Sequence, residues 1–311
     1  MKFTKIRTII ISGLLLFSAV GLHAQEGVQS YSEIRRDVVY GDSGIETSMD
    51  IYLPVKGEKP YPVHIYIHGG GWTGGNKKIG GDKGEVFKEL SQQGFIGISV
   101  EYRRKDSDKN QYLRECVVDS VQALRYVFAH ADEWGINKEN IFVWGGSAGA
   151  HLALMVSAAE PGMFPGSDKA LDQVETPVNA VVAWFPPTDM EHYEQISVEK
   201  NGKLRDLSNR MGCKVEDEPE AYKEISPLEQ LGPDFPAVCL FHGDSDPTVN
   251  FEHSIRFHEK AQTLGVESVF HVVPGAKHGF GSAPRSIPSV GDGKYSIPQL
   301  TAQFFVDHLK Q

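Results

Sequence analysis

Trp144-Gly145-Gly146-Ser147-Ala148-Gly149 is the stretch whose reading decides the fold. A short apolar run, 141–144, precedes it, and Ala150-His151-Leu152-Ala153-Leu154-Met155 continues it in helix-forming sequence. A serine between small residues at such a junction predicts a strand turning sharply into a helix. That turn pushes the hydroxyl outward at the end of a sheet. Gly145 and Gly149 leave room for the backbone to cross, and Ala148 keeps bulk away. The start of the helix aims N–H groups at incoming negative charge. A serine hydroxyl is a weak nucleophile and needs a base beside it. If Ser147 is a nucleophile, the rest of the chain must supply that base, an acid behind it, and donors for a developing oxyanion.

Upstream, His68-Gly69-Gly70-Gly71-Trp72 follows the apolar run 63–67. Taken alone it is a glycine turn. At a sheet end beside Ser147 it also offers backbone donors. The N–H of Ala148 is then one arm of an oxyanion hole, and that of Gly70 or Gly71 the other. His68 reads as a structural hydrogen-bonding residue rather than a base. Trp72 either walls the pocket or packs.

Downstream, the acid is expected before the histidine, each just after a late strand. Phe241-His242-Gly243-Asp244-Ser245-Asp246-Pro247-Thr248-Val249 offers Asp246, with Asp244 as its rival. Pro274-Gly275-Ala276-Lys277-His278-Gly279-Phe280 offers His278 as base. The chain has 12 histidines, so a lone one is not diagnostic. His271 lies in a strand pattern, and His253 and His258 in a helix pattern. His278 occupies a loop at the correct end. His278 would take the Ser147 proton and pass it to the leaving group, and Asp246 would hold its tautomer. No His-Glu-x-x-His or tight His/Cys/Asp pattern occurs, so no catalytic metal is expected. The glycine stretches fail the phosphate-loop and dinucleotide tests, so no cofactor is expected either.

Short apolar segments at 63–67, 96–100, 141–144, 178–185, 238–241 and 269–273 alternate with helical patterns at 83–93, 116–131, 147–159, 252–264 and 297–309. That rhythm predicts an α/β fold, a mainly parallel sheet covered on both faces. Residues 37–40 and 48–53 read as early edge strands, open to antiparallel pairing. Residues 186–236 break the rhythm with many charges. They are either an insertion over the sheet's C-terminal edge or a solvated linker.

Residues 1–24 read as an export signal: Lys2, Lys5 and Arg7, an apolar stretch, then Leu22-His23-Ala24. A retained anchor is the alternative. Residues 25–34 read as a flexible lead, and 35–311 as one domain. Export implies a secreted or periplasmic protein. The formal net charge is −10. An acidic surface argues against nucleic acid and anionic membranes as partners. Cys116, Cys213 and Cys239 are too few and too scattered for a disulfide framework.

The chain resembles α/β-hydrolases of the hormone-sensitive-lipase-like and carbohydrate-esterase branch. His68-Gly69-Gly70-Gly71-Trp72, Gly145 to Ala153, His242-Gly243-x-x-Asp246-x-x-Val249 and His278-Gly279-Phe280 carry the likeness, with Met49-Asp50-Ile51-Tyr52-Leu53-Pro54 and Val100-Glu101-Tyr102-Arg103. It covers roughly residues 36–310. The resemblance implies a secreted serine esterase that removes acetyl or another small acyl group from plant polysaccharide such as xylan. A feruloyl esterase or general carboxylesterase, an amidase or exopeptidase with the same triad, and a catalytically silent carbohydrate-binding protein are the alternatives. An exopeptidase would need a charged anchor, such as Glu101 or an acidic residue in 190–220, each of which could equally face solvent. Too few residues precede Val63 for the helical cap of the lipase relatives, so an open cleft suited to an oligosaccharide is expected. Trp72, Trp184 and Phe280 are its expected substrate-contacting side chains, helped by Phe185 and the loop 281–295.

Overall fold

The computed structural model describes residues 31–196, 206–280 and 295–311. The expected export signal and residues 281–294 of the expected cleft loop lie outside them. Eight strands among the described residues form one sheet: β1 (Tyr31–Val39), β2 (Ser48–Pro54), β3 (Tyr61–Ile67), β4 (Ile96–Val100), β5 (Ile136–Gly146), β6 (Ala180–Trp184), β7 (Ala237–Gly243) and β8 (Ser268–Val273). Their spatial order is β1-β2-β4-β3-β5-β6-β7-β8. β2 pairs antiparallel with β1 and with β4, and every later pairing is parallel. The helices are α1 (Asp82–Gln92), α2 (Leu113–Ala129), α3 (Ala131–Trp134), α4 (Ala148–Ala158), α5 (Ser208–Met211), α6 (Pro219–Glu224), α7 (Pro227–Gln230), α8 (Glu252–Thr263) and α9 (Ile297–Asp307).

Strand side chains alternate between the two faces of a sheet. Val63, Ile65 and Ile67 of β3, with Ile141 and Val143 of β5, pack in one core layer with α2, α4 and α8. Tyr66, Phe142 and Trp144 pack in the other, with α1 and α9. Burying both faces is why these strands read as unbroken apolar runs. β5 is therefore a fixed platform, and Ser147 stands at its end.

Two expectations need correction. Residues 31–34, assigned to a flexible lead, are the start of β1, and Tyr31 pairs with Pro54. An edge strand is recruited by the neighbour's unpaired backbone, so charged residues such as Glu33, Arg35 and Arg36 do not exclude it. The helix expected over 116–131 starts earlier and breaks at His130, whose ring stacks on Tyr126 and Trp134. The described part of 186–236 is not a solvated linker. It forms α5, α6 and α7, and it buries Leu207, Tyr222, Ile225 and Leu231.

Candidate active site

Ser147 sits between β5 and α4 with φ 57° and ψ −124°. This region is costly for a residue with a side chain, and such strain persists only where the surroundings enforce it. Here they do. The Ser147 N–H donates to Trp184 O at 2.8 Å. Gly149 passes so close to β3 that a Cβ there would lie 2.1 Å from Ile67 O. At Gly145 a Cβ would lie 2.4 Å from the Gly149 carbonyl. The two motif glycines are small because backbone crosses backbone.

The structure brings Ser147, His278 and Asp246 into one hydrogen-bonded chain. His278 Nε2 is 3.0 Å from Ser147 Oγ, and His278 Nδ1 is 2.7 Å from Asp246 Oδ2. A carboxylate only accepts, so Nδ1 carries the proton and Nε2 presents its lone pair to the serine hydroxyl. The other Asp246 oxygen accepts the N–H groups of Thr248 at 2.7 Å and Val249 at 3.1 Å. Burial opposes ionisation of Asp246. Hydrogen bonds from His242 and His278 outweigh it and hold the carboxyl well below the usual range. Asp244, the rival acid, instead accepts Gly275 N–H at 2.7 Å and braces the exposed loop.

Ala148 opens α4, where the first N–H groups lack an intrahelical acceptor. Gly70 and Gly71 line a pocket with Ser147 and His278. His68 lies behind them as a brace. Its ring stacks on Tyr102, its carbonyl accepts the Tyr102 hydroxyl at 2.9 Å, and its Nε2 is 3.3 Å from Glu101 Oε1. Burial raises the Glu101 carboxyl, but hydrogen bonds from His68 and Lys77 N–H outweigh it and leave it lowered. Glu101 is thus committed to His68 and Lys77, not presented as an anchor for a peptide terminus.

Two pockets meet at Ser147. The first, about 400 Å³, is lined by Tyr66, Lys83, Trp184, Phe185 and Phe280. The second, about 510 Å³, is lined by Gly70, Gly71, Trp72, Tyr193, Arg210 and Thr248. The expected wall residues border these spaces in different ways. Trp184 and Phe280 face the first, their ring centroids 5.8 Å apart. Trp72 borders the second but is 3% exposed, and its indole N–H donates to His151 Nδ1 at 3.3 Å. Its main role is to pin the glycine loop. Tyr295, from the expected cleft loop, lines a separate pocket with Cys239 and His271.

Three contributors escaped the sequence reading, and a fourth, Phe185, was expected only as part of the cleft wall. Phe185 leaves β6 with φ 43°, which carries its ring to 4.6 Å from that of His278. Arg210 donates from Nε to Gly71 O at 3.0 Å, tying the overhang to the glycine loop. His151 accepts from Trp72 and donates from Nε2 to Ile225 O at 2.8 Å. Burial lowers it to about 4, so it is neutral at pH 7. His242 donates from Nε2 to Val249 O at 3.0 Å and lies 3.4 Å from Asp246 Oδ2. A positive φ at Phe185 has no local sequence signal. Arg210 and His151 join segments far apart in the chain, whereas His242 meets Asp246 four residues on and Val249 seven residues on; only a histidine one turn after the elbow serine hinted at His151.

The BD-FAE family model matches residues 49–261. The chain belongs to the BD-FAE family. The solved structure of a truncated form of carbohydrate esterase from gut microbiota aligns with a TM-score of 0.75 at 26% identity, covering 90% of this chain and 97% of that one. Esterase 2 of Thermogutta terrifontis shares the fold, with a TM-score of 0.63 at 23% identity over 88% of this chain and 90% of that one. Esterase LipC of Mycobacterium tuberculosis is 28% identical over 79% of this chain and 60% of its own length. A probable isoprenylcysteine alpha-carbonyl methylesterase of Arabidopsis thaliana is 25% identical over 79% of this chain and 51% of its own length. The chain thus spans between half and two thirds of these two curated relatives. The BD-FAE match and the mainly parallel sheet make the architecture that of an α/β-hydrolase.

Proposed function

We propose that this protein is an exported serine ester hydrolase that removes acetyl or other small acyl groups from plant polysaccharide such as xylan. The observation that carries the reading is the chain from Ser147 Oγ through His278 to Asp246, open to two pockets. The likeness to a carbohydrate esterase supports the sugar substrate. The basic and apolar pattern of residues 1–24 supports export.

Ser147 Oγ attacks the ester carbonyl carbon while its proton passes to His278 Nε2. The carbonyl oxygen becomes an oxyanion and accepts from Ala148 N–H and from Gly70 or Gly71 N–H. The bond from carbon to the sugar oxygen then breaks, and His278 returns the proton to the departing hydroxyl. Water attacks the acyl-serine, giving a proton to His278. Collapse releases the carboxylic acid and restores Ser147. Asp246 remains ionised throughout and balances the imidazolium.

Ser147→Ala tests this directly. Expected is a fall of about 10⁴-fold or more in kcat on an aryl acetate and on acetylated xylan, with the thermal midpoint little changed. Turnover retained by a contaminant-free preparation of the variant would remove Ser147 from the mechanism.

A further inference from the structure

Two polar side chains that the triad does not use face the aromatic pocket beside Ser147. Tyr66 is 3% exposed and lines that pocket. Its hydroxyl has no hydrogen-bond partner among the described residues. Lys83, in the first turn of α1, lines the same space, with its ammonium 5.6 Å from the centre of the Tyr66 ring. Lys83 has no carboxylate partner among the described residues. Elsewhere the chain does satisfy its sequestered ammonium groups. Lys77 is held by Asp37 and Ser48, and Lys260 donates to Leu228 O.

A half-buried ammonium without a counter-charge is unfavourable, and burial lowers Lys83 below its ordinary value. Among the described walls the face of the Tyr66 ring offsets it in part, but a ring face carries no counter-charge. Phe185 and Phe280 are apolar, and the Trp184 indole N–H is already donated to Thr301 Oγ1 at 3.0 Å. Asp82 lies at the exposed rim and makes no ion pair with Lys83. The free groups deep in this pocket are therefore donors. A carboxylate is the common organic group that accepts from an ammonium and a phenol together.

We infer that this pocket recognises a carboxylate on the substrate, held by Lys83 Nζ and the Tyr66 hydroxyl, so that the preferred esters are those of acidic sugars. The inference rests on the serine-esterase reading and narrows its substrate class. A space of about 400 Å³ beside the nucleophile suits one sugar ring rather than a long acyl chain. The aromatic faces of Trp184 and Phe280 cover the ring, and the two donors fix its acidic end.

The test compares matched esters that differ only in a carboxylate. O-acetylated galacturonate against O-acetylated galactose places the charge on the alcohol side. The 4-nitrophenyl hemiester of succinate against 4-nitrophenyl butyrate places it on the acyl side. Expected is a kcat/KM preference of about ten-fold for the acidic sugar, largely lost in Lys83→Met, reduced in Tyr66→Phe and kept by Lys83→Arg. A preference confined to the hemisuccinate would move the carboxylate to the acyl chain and overturn the acidic-sugar assignment. No preference in either pair, or one that survives Lys83→Met, overturns the site altogether. Thermal midpoints of the variants separate recognition from folding, and Tyr66→Phe keeps the ring. Calorimetric titration of Ser147→Ala with galacturonate and galactose reads the pocket without turnover. Binding of the acid alone, lost on adding Lys83→Met, is the expected result, and equal binding of both sugars contradicts it. A chain that binds galacturonate but hydrolyses no ester would fail as an esterase and keep the site. One that hydrolyses aryl acetate with no carboxylate preference would do the reverse.

Discussion

The turn around Ser147 and the described part of residues 186–236 above it face the same cleft and are built in opposite ways. At the turn, backbone packs on backbone. Gly149 lies against the end of β3, and Ser147 is held at a positive φ by its neighbours. The overhang is fastened by side chains. Arg210 donates to Gly71 O, Lys105 to Asn209, Arg114 to Glu224, and His151 to Ile225 O. His253 Nδ1, itself on α8, accepts the N–H groups of Thr188 and Asp189, each at 3.2 Å. Close backbone contact tolerates almost no change, because nothing flexible stands between the chains. Side-chain ties are each worth roughly 1 kcal/mol and fail singly. The difference suits the proposed roles: the nucleophile must not move, whereas the wall above it must accommodate a substrate.

The largest effect is expected where that rigidity is attacked. Gly149→Ala puts a Cβ 2.1 Å from Ile67 O and 2.6 Å from the His68 carbonyl carbon. β3 and the oxyanion loop must then separate from α4. A loss of about 3 kcal/mol or more in urea unfolding is expected, with little soluble protein. Near-native stability would mean that the turn is looser than its geometry.

Acid is expected to distinguish the two regions. His151 and His253 are held by burial at about 4 and about 3, below an unfolded value near 6.5. Protonation therefore favours the unfolded chain. Their contribution is complete above pH 6.5 and declines as pH falls toward those folded values. Each costs about 1.4 kcal/mol per pH unit inside that window. Protonation also removes the Nδ1 acceptors used by Trp72, Thr188 and Asp189. Between pH 7.5 and 5.5, amide protection factors, corrected for the intrinsic fall in exchange with acid, should drop in residues 219–231 before they drop in β5. Simultaneous loss of protection would join the two regions into one cooperative unit.

The smallest effect is expected at the point where they touch. Arg210→Ala frees Gly71 O and loosens the oxyanion loop without touching the triad. We expect a three- to ten-fold fall in kcat on an aryl acetate, roughly what slight misplacement of one donor costs, with little change in thermal midpoint. A drop as large as that of Ser147→Ala would give Arg210 a direct part in the chemistry.

The readings that succeeded in the sequence share a local cause. Apolar runs such as 63–67 and 141–144 are buried on both faces wherever they sit in a parallel sheet, so composition alone revealed β3 and the core of β5. The glycines around Ser147 are demanded by a turn a few residues long. Loops after late strands placed Asp246 and His278 at the correct sheet end, although His278 and Ser147 are 131 positions apart. The choice between Asp246 and Asp244 was not legible in the same way. Both follow β7, and only the loop's path turns one carboxylate toward His278 and the other toward Gly275 N–H. The start of β1 was hidden because an edge strand is defined by the partner it pairs with.

By itself, the sequence determined the layered α/β sheet, the strained serine turn and which serine, aspartate and histidine, in that chain order, would come together. Burial periodicity and local backbone demands are written in neighbouring residues. Tertiary structure alone decided that Arg210 braces Gly71, that His151 links the glycine loop to the overhang, and that Lys83 and Tyr66 face the pocket together. These are meetings between segments far apart in the chain. A charged or aromatic residue in sequence carries no mark of the neighbour that folding will give it.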